Sequence, residues 1–106
     1  RVRQQLIDFI SMAPSVAIAL EGHDVIGKVR ILVGDTAPSK SAPGTIRGDF
    51  SFDSYGLADS LGRPLQNLIH ASDSPDNAKR EISLWFNPNE LHAYQRVDEA
   101  LLYRKA

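Results

Sequence analysis

The apolar positions of this chain change period as they run, and each change marks an element. Val2, Leu6, Phe9 and Ile10 recur at helical spacing, which predicts a helix over 2–12 with one buried face, ended by Ala13-Pro14. Val16-Ala17-Ile18-Ala19-Leu20 is a continuous apolar run with branched residues, the pattern of a strand covered on both faces. Glu21-Gly22 turns the chain. Asp24 stands as N-cap of a second helix over 24–33, with Val25, Val29, Leu32 and Val33 on one stripe and Gly34 at its end. A second strand, near 66–70, is read from Leu68-Ile69. A helix over 75–86 follows, with Ala78, Ile82, Trp85 and Phe86 as its buried stripe. Ser74 is its natural N-cap, Pro75 suits the first helical position, and Asn87-Pro88 closes it. Val97, Leu101 and Leu102 form a last short helical pattern before a basic end, Tyr103-Arg104-Lys105.

Two stretches carry no such period. Residues 35–49 hold two prolines and two glycines, and a loop of this length inside a small domain is usually functional. Thr36, Thr45 and Arg47 supply hydroxyls and a guanidinium there, the groups that grip phosphate oxygens. Residues 51–66 are rich in turn formers, with Phe52, Tyr55, Leu57 and Leu61 available to hold them on a neighbouring surface.

The 106 residues suffice for one small domain. A net charge of −1 excludes broad attraction to nucleic acid or an anionic membrane, though local cations can still bind a small anion. Without cysteine there are no disulfides and no thiolate chemistry. The apolar runs are too short to span a bilayer, and no secretory leader is recognisable. The chain opens at Arg1 inside a helical pattern, as a cut polypeptide would.

The chemistry concentrates at one point. His70 sits where the second strand ends, just before the N-terminus of the 75–86 helix, and unpaired amides there favour an anion. Imidazole is both a nucleophile and a proton carrier near neutral pH, so His70 is a candidate for phosphate chemistry. Spacing alone leaves Lys28 and Arg30 on a solvated face and Glu81 at the rim of a helix stripe. His23, His70 and His92 share no metal-ligand spacing, and no phosphate-binding glycine loop is present.

Asn67-Leu-Ile-His70-Ala-Ser72-Asp-Ser resembles the active-site signature of the nucleoside diphosphate kinases. Gly34-Asp-Thr36-Ala-Pro38 and Pro43-Gly-Thr-Ile-Arg47-Gly-Asp-Phe50 resemble the family's nucleotide-binding loop, and Glu21-Gly22, Arg30 and Lys79-Arg-Glu81-Ile-Ser-Leu-Trp85-Phe86 fall at matching places. The resemblance covers nearly the whole chain in the family's order. It implies transfer of the terminal phosphate from ATP to a nucleoside diphosphate through a phosphohistidine, by a ping-pong route. It implies Mg2+ held by the nucleotide phosphates, with no metal site made of protein. By the same resemblance His70 is the nucleophile, and Glu81 and Ser72 orient its ring. Arg30, Thr36 and Arg47 contact phosphates, Asn67 a ribose hydroxyl, and Leu6 lies beneath the base.

The implied fold is α+β, a ferredoxin-like antiparallel sheet with helices packed on it, in one domain over 1–106. A hexamer or tetramer in the cytoplasm is expected, with neither membrane nor specific nucleic acid as partner. Three departures stand out. No aromatic residue stands near Val2, where the family has its base platform. The stretch between Phe50 and Asn67 is longer than usual by about ten residues, so 52–65 is expected to be a surface insertion. The family's first strand, first helix and second strand, with their Lys-Pro-Asp motif, have no counterpart in residues 1–106, so this stretch alone is expected to be almost inactive. The competing expectation is a non-catalytic nucleotide-binding or assembly fragment that keeps the His70 motif.

Overall fold

Helices form where the periodicity is local and well capped. The computed structural model describes residues 2–104; Arg1 and Lys105, named above, lie outside the described residues. Its helices are α1 (Val2–Ser11), α2 (Val25–Val33), α3 (Ile46–Phe50), α4 (Tyr55–Ser60), α5 (Pro75–Trp85) and α6 (Glu99–Leu102), with 3-10 turns at Pro38–Lys40 and Pro88–Glu90. α1, α2 and α5 stand where the sequence predicts them. At the head of α5 the Ser74 hydroxyl accepts the Asn77 N–H at 3.1 Å, and Pro75 takes the first helical position. α2 ends at Gly34, whose φ of 98° and N–H donated to the Arg30 carbonyl close the helix. Asp24 is placed correctly but does not cap. Its backbone is left-handed (φ 49°, ψ 36°) and its side chain makes no capping bond; Asp tolerates that conformation better than most residues do.

The two predicted strands are not formed, so the expected sheet is absent among the described residues. The stretch 14–21 has no regular structure; Val16 is 88% exposed and Ile18 72%, the opposite of a strand buried on both faces. The physical reason is that a strand is completed by its neighbour. The run has the composition, but no second strand lies within residues 2–104 to take up its amides and carbonyls. Residues 66–70 are likewise irregular.

Burial is concentrated elsewhere too. α1 and α5 bury no residue fully, and Trp85, expected in the buried stripe of α5, is 61% exposed. The core consists of Val33, Ala37, Pro38 and Ala58 together with the polar Arg47 and Asp53, where α2, α3 and the 3-10 turn pack together. The radius of gyration is 16.8 Å over extents of 53 × 32 × 22 Å, against about 13 Å for a closed domain of this length. The helices therefore surround a small centre and leave broad apolar faces open.

The loop 35–49 owes its order to side chains. The Thr45 hydroxyl accepts the Gly48 N–H at 3.0 Å and donates to the Ala42 carbonyl at 2.6 Å, capping α3. That hydroxyl is committed, so Thr45 does not serve as the free phosphate-gripping group expected of it. A Cβ on Gly48 would stand 2.1 Å from the Ala42 oxygen, so only glycine fits. Asp49 accepts the Gly44 N–H and Asp35 the Ala37 N–H, at 2.8 and 3.0 Å. In the stretch 52–65, Phe52 is 86% exposed and Tyr55 and Leu57 are exposed as well, so the expected apolar pins do not hold it. Ala58 and the carboxylate of Asp53 do.

Candidate active site

Residues 66–71 have no ladder partner, and three side chains fix their course instead. The Gln66 N–H donates to Asp53 Oδ2 at 2.7 Å, Arg47 Nη2 donates to the Ile69 carbonyl at 2.8 Å, and Arg30 Nη1 donates to the Ala71 carbonyl at 3.1 Å. His70 thus stands between two carbonyls, each held by an arginine, with its own ring exposed.

α5 supplies the ring's partner. Glu81 Oε1 lies 2.5 Å from His70 Nε2. The neighbouring Ser72 hydroxyl, and after it His70, hold the Glu81 carboxyl below its ordinary pKa, against the opposing effect of partial burial. An ionised carboxylate only accepts hydrogen bonds, so Nε2 carries the proton and donates it, which leaves the lone pair on Nδ1. Glu81 Oε2 is buried and makes no hydrogen bond of its own.

Arg47 is 6% exposed. Its Nη1 also donates to the carbonyls of Gly34 and Asp35, at 3.3 and 3.1 Å, so one guanidinium joins the end of α2 to the His70 segment. Nε is buried with no partner. Burial first, and Arg30 second, lower the Arg47 pKa, with Asp35 opposing them. A guanidinium remains charged under such pressure, so two cations stand close to each other and to one exposed imidazole.

Five of the residues predicted from sequence are therefore brought together: His70, Glu81, Ser72, Arg30 and Arg47. Asn67 adjoins them, with its Oδ1 buried and unpartnered. Thr36 is exposed on the turn after Gly34, Leu6 is partly exposed on α1, and neither takes part in the hydrogen bonds of this cluster. The described residues hold no group of three His, Cys, Asp or Glu side chains fit for a metal ion.

Asp53, Arg63 and Gln66 were not legible as site neighbours. Arg63 grips Asp53 with both terminal nitrogens, at 2.8 and 3.1 Å. The Arg63 side chain first, then the Gln66 N–H, hold the Asp53 carboxyl at about 2. Next to them, Gln5 of α1 donates to the Gly62 carbonyl at 3.2 Å, beside a groove of about 290 Å3 lined by Gln5, Asp8, Phe9, Met12, Arg63, Pro64 and Gln66. An Asp and an Arg ten residues apart in a turn-rich stretch carry no periodic or motif signal.

Known proteins resemble this chain in sequence and in fold. The "Nucleoside diphosphate kinase" of Staphylococcus carnosus is 50% identical over 98 residues, which are 92% of this chain and 59% of that protein. The crystal structure of an NDP kinase from Pyrobaculum aerophilum superposes with a TM-score of 0.80 at 46% identity, covering 84% of this chain and 49% of that one. A transition-state mimic of nucleoside-diphosphate kinase from Borrelia burgdorferi, with bound vanadate and ADP, gives a TM-score of 0.71 at 45% identity over 77% of this chain and 49% of that one. The chain thus spans about three fifths of the curated relative and half of the solved ones. The family model described as nucleoside diphosphate kinase matches residues 2–91, most of the chain, and the chain belongs to that family.

Proposed function

We propose that this chain carries the phosphate-transfer centre of a nucleoside diphosphate kinase, with His70 as the group that is phosphorylated. The observation that supports it best is the pairing of His70 Nε2 with Glu81 between two arginine-held carbonyls. The Nδ1 lone pair attacks the terminal phosphorus of ATP. The bond to the bridging oxygen breaks, and ADP leaves with the electron pair. A terminal oxygen of a nucleoside diphosphate then attacks the phosphorus, the P–N bond breaks, and neutral imidazole is restored. The proton stays on Nε2 throughout, facing Glu81, so the second nitrogen is always the nucleophile.

Such transfers depend on positioning and charge neutralisation more than on acid–base work. Arg30 and Arg47 supply positive charge at the histidine, and Arg47 Nε and the second Nη2 hydrogen are not committed to carbonyls. Thr36 and Asn67 would hold a phosphate and a ribose hydroxyl, and Leu6 the base. The vanadate and ADP of the Borrelia burgdorferi protein agree with a phosphoryl site in this fold. Mg2+ fits as an ion carried by the nucleotide, since this cation is ordinarily held by phosphate oxygens and water and the described residues offer no carboxylate cluster. When bound it offsets phosphate charge.

In the full-length protein the reading completes the ferredoxin-like sheet around 16–20 and 66–70, makes 52–65 an insertion on its surface, and gives a hexamer or tetramer acting in the cytoplasm. The test is labelled ATP with magnesium on the full-length protein. An acid-labile, base-stable adduct is expected, lost in His70→Ala together with at least about a thousandfold of the exchange rate. Glu81→Gln should keep some adduct and slow transfer about 10- to 100-fold. A wild-type protein that binds nucleotide without forming the adduct would establish the non-catalytic reading instead.

A further inference from the structure

Three tethers hold the segment that carries Asn67 and His70, and two of them come from arginines already assigned to the phosphate site. The third comes from the longer stretch between Phe50 and Asn67. Asp53 is 9% exposed and accepts from three donors: both terminal nitrogens of Arg63 and the N–H of Gln66. Its own carbonyl accepts the Ser39 N–H at 3.0 Å, so Asp53 also faces the turn Pro38–Lys40, which packs on α3. Arg63 Nη1 donates again to the Pro64 carbonyl at 3.1 Å, and Gly62 receives Gln5 of α1. Asp53 therefore joins the 3-10 turn, through its backbone carbonyl, to the entry of the His70 segment, through its carboxylate, and α1 touches the same stretch at Gly62, next to Arg63.

We infer that Asp53 and Arg63 form a latch that positions Asn67 for the nucleoside side of the substrate, making them positioning residues of the reaction rather than mere loop supports. The inference rests on the proposed function. The argument is one of adjacency and division of labour. Gln66 immediately precedes Asn67, and its tether is the only one of the three that acts on that end of the segment. Arg47 and Arg30 grip the carbonyls on either side of His70, so the phosphate end stays fixed when the latch is cut. Asn67 Oδ1 is buried and makes no hydrogen bond, so no hydrogen bond of that oxygen helps to keep the side chain in place. A guanidinium that grips a carboxylate with two nitrogens sets angle as well as distance, which a single-point contact does not. Loosening the latch therefore weakens binding of the nucleoside part and leaves phosphorus chemistry nearly as it was.

The experiment uses the full-length protein with ADP and CDP as probes, carrying Asp53→Ala, Asp53→Asn or Arg63→Lys, at a temperature well below each variant's melt. Asp53→Ala should raise KM and the dissociation constant for both diphosphates about tenfold, the scale of one lost charge-assisted hydrogen bond, with kcat within about threefold of wild type. Asp53→Asn keeps an oxygen for the Gln66 N–H and should fall between Ala and wild type. Arg63→Lys keeps the charge but loses the two-point grip, and should raise KM a few-fold. A lower melting temperature with unchanged KM and dissociation constant overturns the inference, and so does a loss confined to kcat. If Asp53→Ala fails to fold, Arg63→Lys decides, and wild-type KM there is equally fatal. Phosphohistidine formation by the wild-type protein keeps the two failures distinct. Its absence ends the proposed function, whereas its presence with unmoved KM in the variants ends the latch alone.

Discussion

The two stretches that read as strands, 16–20 and 66–70, come out differently, though neither has a partner strand among the described residues. The second is held at Gln66, Ile69 and Ala71 by side chains from three other parts of the chain. The first is an exposed stretch without regular structure, and Val16, Ile18 and Leu20 all lie open to solvent. Charged side chains can take over the work of a ladder for a short segment, because a carboxylate or guanidinium satisfies several backbone groups at once. An all-apolar run has no such means, and its backbone groups wait for another backbone.

The harshest way to break this contrast is to disturb the tethered side at its tightest point. Gly48→Ala drives a Cβ to 2.1 Å from the Ala42 oxygen, and that atom is backbone, so α3 must shift and carry Arg47 with it. A loss of about 3 kcal/mol or more is expected in the denaturation midpoint of the full-length protein. By contrast, Gly56→Ala meets nothing within 4 Å and should be neutral or slightly stabilising in α4.

Next in size is a test of the open side. If strands from outside residues 2–104 pair with 16–20, as proposed, Ile18→Asp in the full-length protein buries a charge and should cost about 2–3 kcal/mol, read by thermal or urea unfolding. In residues 1–106 expressed alone the same change should leave unfolding unmoved and improve solubility, because Ile18 is exposed there. Equal effects in both polypeptides would sink the contrast.

The smallest effect sharpens the role of Asp53. Its carboxyl is held at about 2, below the ordinary 3.8. A group depressed on folding contributes stability above its unfolded pKa and loses that contribution as the pH falls through the folded value. The urea midpoint should therefore decline between about pH 4 and pH 2, and Asp53→Asn should flatten that part of the profile while lowering the plateau above it.

What could be read in advance follows the same division. Ser74-Pro75 and Gly34 announce helix ends because their work is done within a few residues, and α5 and the end of α2 stand as read. Asp24 misled because a residue type favoured at caps is also one that tolerates a left-handed backbone, and the latter prevailed. The strands misled because their composition is local and their completion is not. Glu81 is eleven residues from His70, and only the resemblance raised it from a rim charge, whereas the structure gives it the ring. Composition makes Thr45 and Arg47 alike candidates for phosphate contacts. The threonine is consumed by α3, and the arginine spends three hydrogen bonds on backbone carbonyls while keeping its charge. Asp53 with Arg63 lay beyond reach, since an ion pair across an irregular loop has no period.

The arginine tethers grip carbonyls and leave the amide protons of Ile69, His70 and Ala71 without protein acceptors among the described residues. Amide exchange reports whether a proton is bonded, not whether its residue is still. In residues 1–106 expressed alone, deuterium uptake will therefore be rapid across 69–71, as in a frayed terminus, while the carbonyls of Ile69 and Ala71 stay fixed. In this segment isotope labelling and positional order part company, and a protection map would portray an anchored stretch as a loose one.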